Sequence, residues 1–151
     1  MRIVIQRVKR ASVTIEGEIS GAIEHGLLAL VGFCETDSAS LLAPMADKMI
    51  NLRIFTDDAD KMNLSLLDVA GDLLAVSQFT LYADCRKGRR PSFNLAKNPA
   101  EAEALYDEFV AICSGKLGKK VQTGSFGADM KVELLNDGPV TIVLDSDEIV
   151  K

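Results

Sequence analysis

Histidine is nearly missing from this chain: His25 is the only one in 151 residues. A hydrolase of the Ser-His-Asp kind needs an imidazole to take the nucleophile's proton. His25 stands in Ile23-Glu24-His25-Gly26, a turn between strands, where a lone histidine reads as structural or solvated. Cysteine is scarce as well. Cys34, Cys85 and Cys113 are odd in number and lack metal-ligand spacing, so neither a disulfide framework nor a zinc site is expected, and a reducing, cytoplasmic setting fits. Positive charge is in deficit, with 17 Lys and Arg against 22 Asp and Glu and a net charge of −5. A protein that holds nucleic acid by general attraction needs the opposite balance, so any RNA contact has to be local. No apolar run approaches the roughly 18 residues that span a bilayer, and no charged-then-apolar leader opens the chain. Gly-x-Ser-x-Gly elbows, phosphate loops and dinucleotide fingerprints are all wanting. The acidic run Asp57-Asp58-Ala59-Asp60 lacks the glycine and terminal glutamate of an EF-hand loop and reads as solvated. No cofactor and no metal are expected.

What is present suits one compact α/β domain over residues 1–151: 48% of the residues are hydrophobic, and no repeat or low-complexity linker interrupts them. Arg2 to Val8 reads as an opening strand, followed by a hairpin of Ala11 to Ile15 and Ile19 to Ile23 about Glu16-Gly17-Glu18. Arg7 is either a buried arginine that needs acceptors or an edge arginine in solvent. Leu27 to Phe33 is apolar without alternation, as in a strand covered on both faces. Between Ser38 and Leu52 the apolar spacing predicts a helix that starts near Ser40 or kinks at Pro44. Arg53-Ile54-Phe55 reads as a short strand. Asn98-Pro99 opens a second helix, with Leu105, Tyr106, Phe109, Ile112 and Cys113 as its buried stripe and Gly115 and Gly118 as its end. Seven or so strands and two main helices result.

Two stretches stand apart. Asp72 to Leu81 is an apolar strand whose end turns polar at Ser77-Gln78-Phe79-Thr80; if it stays extended, Gln78 and Thr80 share one face and Ser77 and Phe79 the other. Asn136-Asp137-Gly138-Pro139-Val140-Thr141 joins two strand-like runs. An Asn-Asp-Gly turn closes a hairpin unaided, and the added proline removes a donor and fixes φ. The base rate of about 5–6% cis among X–Pro bonds favours a trans turn that ends a strand. Asp84 to Phe93 holds the densest positive cluster, Arg86, Lys87, Arg89 and Arg90, either a surface loop or a phosphate contact. Lys116, Lys119 and Lys120 form a smaller one.

Together, Ser77-Gln78-Phe79-Thr80 and Asn136 to Thr141 resemble the paired signature of the D-aminoacyl-tRNA deacylases. The likeness extends through Gln6-Arg7-Val8, Arg53-Ile54-Phe55, Lys61 to Leu64, Arg90-Pro91-Ser92-Phe93, Ala104-Leu105-Tyr106 and Ala128-Asp129-Met130. The resemblance implies a barrel-like arrangement of mainly antiparallel sheets and a homodimer with active sites at the subunit interface. It implies a cis Gly138-Pro139 bond, entering the partner's pocket. There two parallel carbonyls accept hydrogen bonds from the α-ammonium of a D-aminoacyl ester and collide with an L side chain, leaving achiral glycine incompletely excluded. Ser77, Gln78, Phe79 and Thr80 then handle the ester and terminal adenosine, Arg7 braces Gly138-Pro139, Met130 walls the pocket, and Arg86, Lys87, Arg89 and Arg90 meet acceptor-stem phosphates. Water attacks, helped by the ribose 2′-hydroxyl and a main-chain oxyanion contact. The rival readings are a Ser or Thr esterase acting on small esters and a tRNA-binding module without catalysis.

Overall fold

The computed structural model describes residues 1–151. Strand β1 (Arg2–Ile15) runs unbroken through the Lys9-Arg10 pair that separates two apolar segments in the sequence. The opening strand and the first arm of the hairpin are therefore one element. Its second half pairs antiparallel with β2 (Glu18–Ile23) and its first half with β3 (Gly26–Gly32). Glu16 and Gly17, at φ 50° and 81°, form the tight connection to β2, whose handedness matches strand twist. All but one residue of β3 is buried, as its unalternating apolar sequence requires.

A 3-10 turn at Ala39–Leu41 leads into α1 (Leu42–Asn51), with Pro44 in the first turn of the helix, where its missing N–H breaks no bond. The helix buries Met45, Ala46, Met49 and Ile50. The short strand expected at Arg53 to Phe55 lies slightly later, as β4 (Phe55–Thr56), and forms a hairpin with β5 (Met62–Leu64). The acidic loop between them closes on itself: Asp57 Oδ1 accepts from the Ala59 and Lys61 amides at 2.9 and 3.0 Å. Strand β6 (Asp72–Ser77) runs parallel to β3.

Helix α2 (Pro99–Leu117) starts as its sequence dictates, with the Asn98 side chain accepting from the Ala100 amide at 3.0 Å. It passes through Gly115, where an end was expected, and stops at Gly118, whose φ of 68° gives the left-handed cap. Gly115 is tolerated because Ala102, Tyr106, Phe109 and Cys113 anchor the buried face of the turns that precede it. Strand β7 (Gln122–Thr123) extends the sheet beyond β6, β8 (Lys131–Asp145) covers the outer side of β1, and one turn of helix, α3 (Ser146–Ile149), follows.

The sheet therefore has the order β2-β1-β3-β6-β7, with β8 beside β1. It curls until its ends nearly meet. A Cβ on Gly21 of β2 would stand 2.5 Å from the Thr123 carbonyl oxygen of β7, and Ser20 Oγ donates to that oxygen at 3.2 Å. Both helices pack on one side over the main core of Ile3, Ile5, Leu27, Met45, Phe55 and Phe109, while a smaller cluster of Val8, Val13, Leu28, Leu74 and Val76 fills the other. The result is a nearly closed, barrel-like α/β domain of mainly antiparallel strands, as expected. The buried Met1 ammonium ties its ends, meeting the Asp37 carboxylate at 2.6 Å and donating to Ser146 Oγ at 2.8 Å.

The pairing of β8 with β1 corrects the reading of Asn136 to Thr141 as a turn between two strands. Both halves of β8 run along the same neighbour in the same direction: Gln6 pairs with Thr141 and Val8 with Asn136. Four residues, Asp137 to Val140, thus stand opposite Arg7 alone. They form a wide bulge that pushes Gly138 and Pro139 out from the sheet, both exposed, with a cis bond between them. The sequence pattern misled because a bulge and a hairpin use the same turn residues.

Candidate active site

Strand β6 does not stay extended to Leu81. The Gln78 amide still donates to the Val31 carbonyl of β3 at 2.7 Å, and then the chain folds into a 3-10 turn at Phe79–Tyr82. Gly32 leaves room for that turn, since a Cβ there would lie 2.6 Å from the Gln78 carbonyl oxygen. Gln78 and Thr80 are therefore not alternate positions of a strand. They meet across the turn, Gln78 Nε2 donating to Thr80 Oγ1 at 2.6 Å. No side chain caps the turn, so the Phe79 and Thr80 amides have no acceptor within it. The Phe79 ring is 55% exposed and stands edge-on to Phe93, with centroids 5.1 Å apart.

Behind the turn lies a cavity of about 250 Å³ lined by Ser77, Gln78, Phe79, Phe126, Ala128 and Met130, among others. Gly124 leaves room for Met130, since an added Cβ there would strike its sulfur. The cavity is smaller than the roughly 300–1,000 Å³ of a typical drug-sized site. Of the four polar-end residues, Ser77, Gln78 and Phe79 line it; Thr80 is exposed at its rim. Phe126 and Ala128 were not singled out as site residues from the sequence, and only the Ala128-Asp129-Met130 likeness pointed near them. Their approach depends on the curl of the sheet.

Neither base nor metal set accompanies these groups. His25 lies at the far end of β3, its ring edge-on to Phe55 at 5.2 Å. No three His, Cys, Asp or Glu side chains converge in a metal-binding group. The groups this chain presents at the site are the main-chain amides of the turn, the Ser77 and Thr80 hydroxyls and the Gln78 amide.

Gly138, Pro139 and Arg7 are not at this cavity. Ile3, Ile5 and Arg7 share one face of β1, and Arg7 ends the apolar row with a buried guanidinium. Arg7 Nη1 donates to the Ile54 carbonyl at 2.6 Å and Nε to the Asp137 carbonyl at 3.0 Å. A Cβ on Gly138 would stand 3.2 Å from Arg7 Nη2, so the bulge rests on this side chain. Within one chain the bulge and the cavity are apart: Val132 lines the cavity, and Gly138 follows it along β8 by on the order of 15–20 Å of strand.

The basic loop is a third, separate place. Reciprocal backbone bonds between Asp84 and Ser92, at 2.7 and 2.9 Å, close its neck. Arg86 is already engaged by Asp84 through two bonds of 2.8 and 2.7 Å, and this arginine holds the Asp84 carboxyl down at about 2. Lys87, Arg89 and Arg90 are exposed and form no ion pair. Lys116 and Lys119 bind Asp47 and Asp72, at 3.2 and 3.0 Å, and so serve to fasten the end of α2.

The sequence model of the D-Tyr-tRNA(Tyr) deacylase family matches residues 4–145. A D-aminoacyl-tRNA deacylase of Clostridium botulinum (strain Eklund 17B / Type B) is 58% identical over 146 residues, 97% of each chain. One of Thermosipho africanus (strain TCF52B) is 56% identical over 149 residues, 99% of each. Among solved structures, one titled c-Myc DNA Unwinding Element Binding Protein superposes with a TM-score of 0.91 at 41% identity, covering 96% of this chain and 98% of that one. With nearly its whole length matched in sequence and in fold, this chain belongs to the D-Tyr-tRNA(Tyr) deacylase family.

Proposed function

We propose that this chain hydrolyses the ester bond of D-aminoacyl-tRNA, releasing free amino acid and tRNA, and that it works as a homodimer. The observation that carries the reading is the separation of the two signature stretches. The uncapped turn at Phe79 and Thr80 fronts a small cavity, while Gly138 and Pro139 project into solvent elsewhere on the same chain. A second copy brings the bulge of one subunit to the cavity of the other. The exposed outer side of β8, with Val143 63% and Leu135 44% accessible, offers apolar surface for such pairing.

In this reading the aminoacyl group occupies the cavity beside Met130. The Gly138 and Pro139 carbonyls of the second copy accept from the substrate α-ammonium, and the same atoms obstruct an L side chain, so selection works through rejection. Glycine, without a side chain to obstruct, is cleaved as well. Water attacks the ester carbonyl, the Phe79 amide donates to the developing oxyanion, and the carbon–oxygen bond to the ribose breaks, with the proton passing to the ribose oxygen by way of the neighbouring 2′-hydroxyl. Lys87, Arg89 and Arg90, with Arg86 held by Asp84, meet acceptor-stem phosphates, a local contact in an acidic protein.

The deciding assay follows ester cleavage of D-, L- and glycyl-tRNA matched in tRNA body. Rapid release from D-aminoacyl-tRNA, slow but measurable release from glycyl-tRNA and none above background from the L form is the expected pattern. Equal cleavage of both enantiomers overturns the selectivity reading, and binding without release makes the protein a tRNA-binding module.

A further inference from the structure

The bulge has a carboxylate at its base, and two cations reach it. Asp137 Oδ2 lies 3.5 Å from Arg7 Nε and 3.6 Å from Lys9 Nζ. Residues two apart on a strand share a face, which sets Arg7 and Lys9 side by side. The pairing helps: Val8 faces Asn136 and Arg10 faces Leu135, so Lys9 has no residue opposite it. The three groups differ in burial. Arg7 is 9% exposed, Asp137 26% and Lys9 61%. Arg7 is fixed independently by the Ile54 and Asp137 carbonyls; the Asp137 side chain is held only by the two cations.

We propose that Asp137 is a positioning residue for selectivity: clamped between Arg7 and Lys9, its carboxylate fixes how far Gly138 and Pro139 stand out from β1, and thereby how strictly L-aminoacyl esters are refused. The inference rests on the proposed role of Gly138-Pro139. Its physical basis is the difference between refusing and accepting. A collision excludes a substrate only if the wall does not yield, so the L reaction senses the stiffness of the bulge. A D side chain points elsewhere, and its reaction senses that stiffness much less. Gly138 lies directly against the Arg7 guanidinium, so loosening the ion cluster reaches the wall without an intermediary.

The test compares kcat/KM for matched D- and L-tyrosyl-tRNA in the wild type, Asp137→Asn, Lys9→Met, their double variant and Gly138→Ala. Lys48→Met, the same charge change on α1, serves as control. Asp137→Asn is expected to raise the L-to-D ratio about three- to fivefold, the upper end of the scale for partly exposed ion pairs. Lys9→Met should raise it about two- to threefold, and adding Lys9→Met to Asp137→Asn should raise it no further, because the lysine acts through the carboxylate. A ratio unchanged in Asp137→Asn, whatever its melting temperature, while Gly138→Ala alters it, overturns the clamp. A ratio unchanged in folded Gly138→Ala too overturns the selectivity reading beneath it.

Discussion

The Thr80 hydroxyl takes a 2.6 Å hydrogen bond from Gln78 and faces solvent at the cavity rim. A nucleophilic threonine needs a base to accept its proton, and the chain's one imidazole is at the other end of β3. Thr80→Ala is therefore expected to keep deacylation of D-aminoacyl-tRNA within about tenfold of wild type, measured as single-turnover release. A loss of several orders of magnitude with the fold intact would make the hydroxyl part of the chemistry. The absence of a triad could be read from the sequence, because counting histidines needs no structure. Arg7 shows the opposite case. Its position after Ile3 and Ile5 left burial and exposure equally open, and the acceptors that settle the matter, the Ile54 and Asp137 carbonyls, lie 47 and 130 residues away along the chain. Lys9 drew no attention, and Asp137 was read only as a turn residue, for the same reason: a charged residue looks solvated until its partner is placed.

Elements whose cause is local were legible. The Asn98-Pro99 start of α2, the first-turn proline of α1 and the unalternating β3 each follow from a few adjacent residues. Elements decided by a neighbour were not. Strand β6 stops at Ser77 because Gly32, on the adjacent strand, lets the chain fold back there, and the run Gln78 to Leu81 carries no sign of this. Gly21 is a comparable case on the closing edge of the sheet. With Thr123 main-chain atoms the three nearest to its missing Cβ, Gly21→Ala should force β2 and β7 apart and cost about 1–3 kcal/mol, seen as a lower urea midpoint with an unchanged slope. An unaffected midpoint would mean that β2 and β7 meet too loosely to close the barrel.

For the molecule as a whole, length and composition pointed to one domain, and the spacing of apolar residues to two main helices beside a mixed sheet. The arrangement of sites across the fold lay beyond them, because a register is a relation between distant strands. That register has one more implication. Asp137, Gly138 and Pro139 amount to an insertion in this stretch of the ladder, since without them Val140 would fall opposite Arg7 and the pairing from Gln6–Thr141 to Val8–Asn136 would run on uninterrupted. If the bulge has the selective role proposed for it, scaffold and discriminating device are separable parts of this chain. A variant lacking these three residues, with Arg7→Leu to remove a guanidinium that would keep only its Ile54 acceptor, should keep the barrel, as judged by circular dichroism and a cooperative melt. It should also lose the ability to tell one hand of an amino acid from the other.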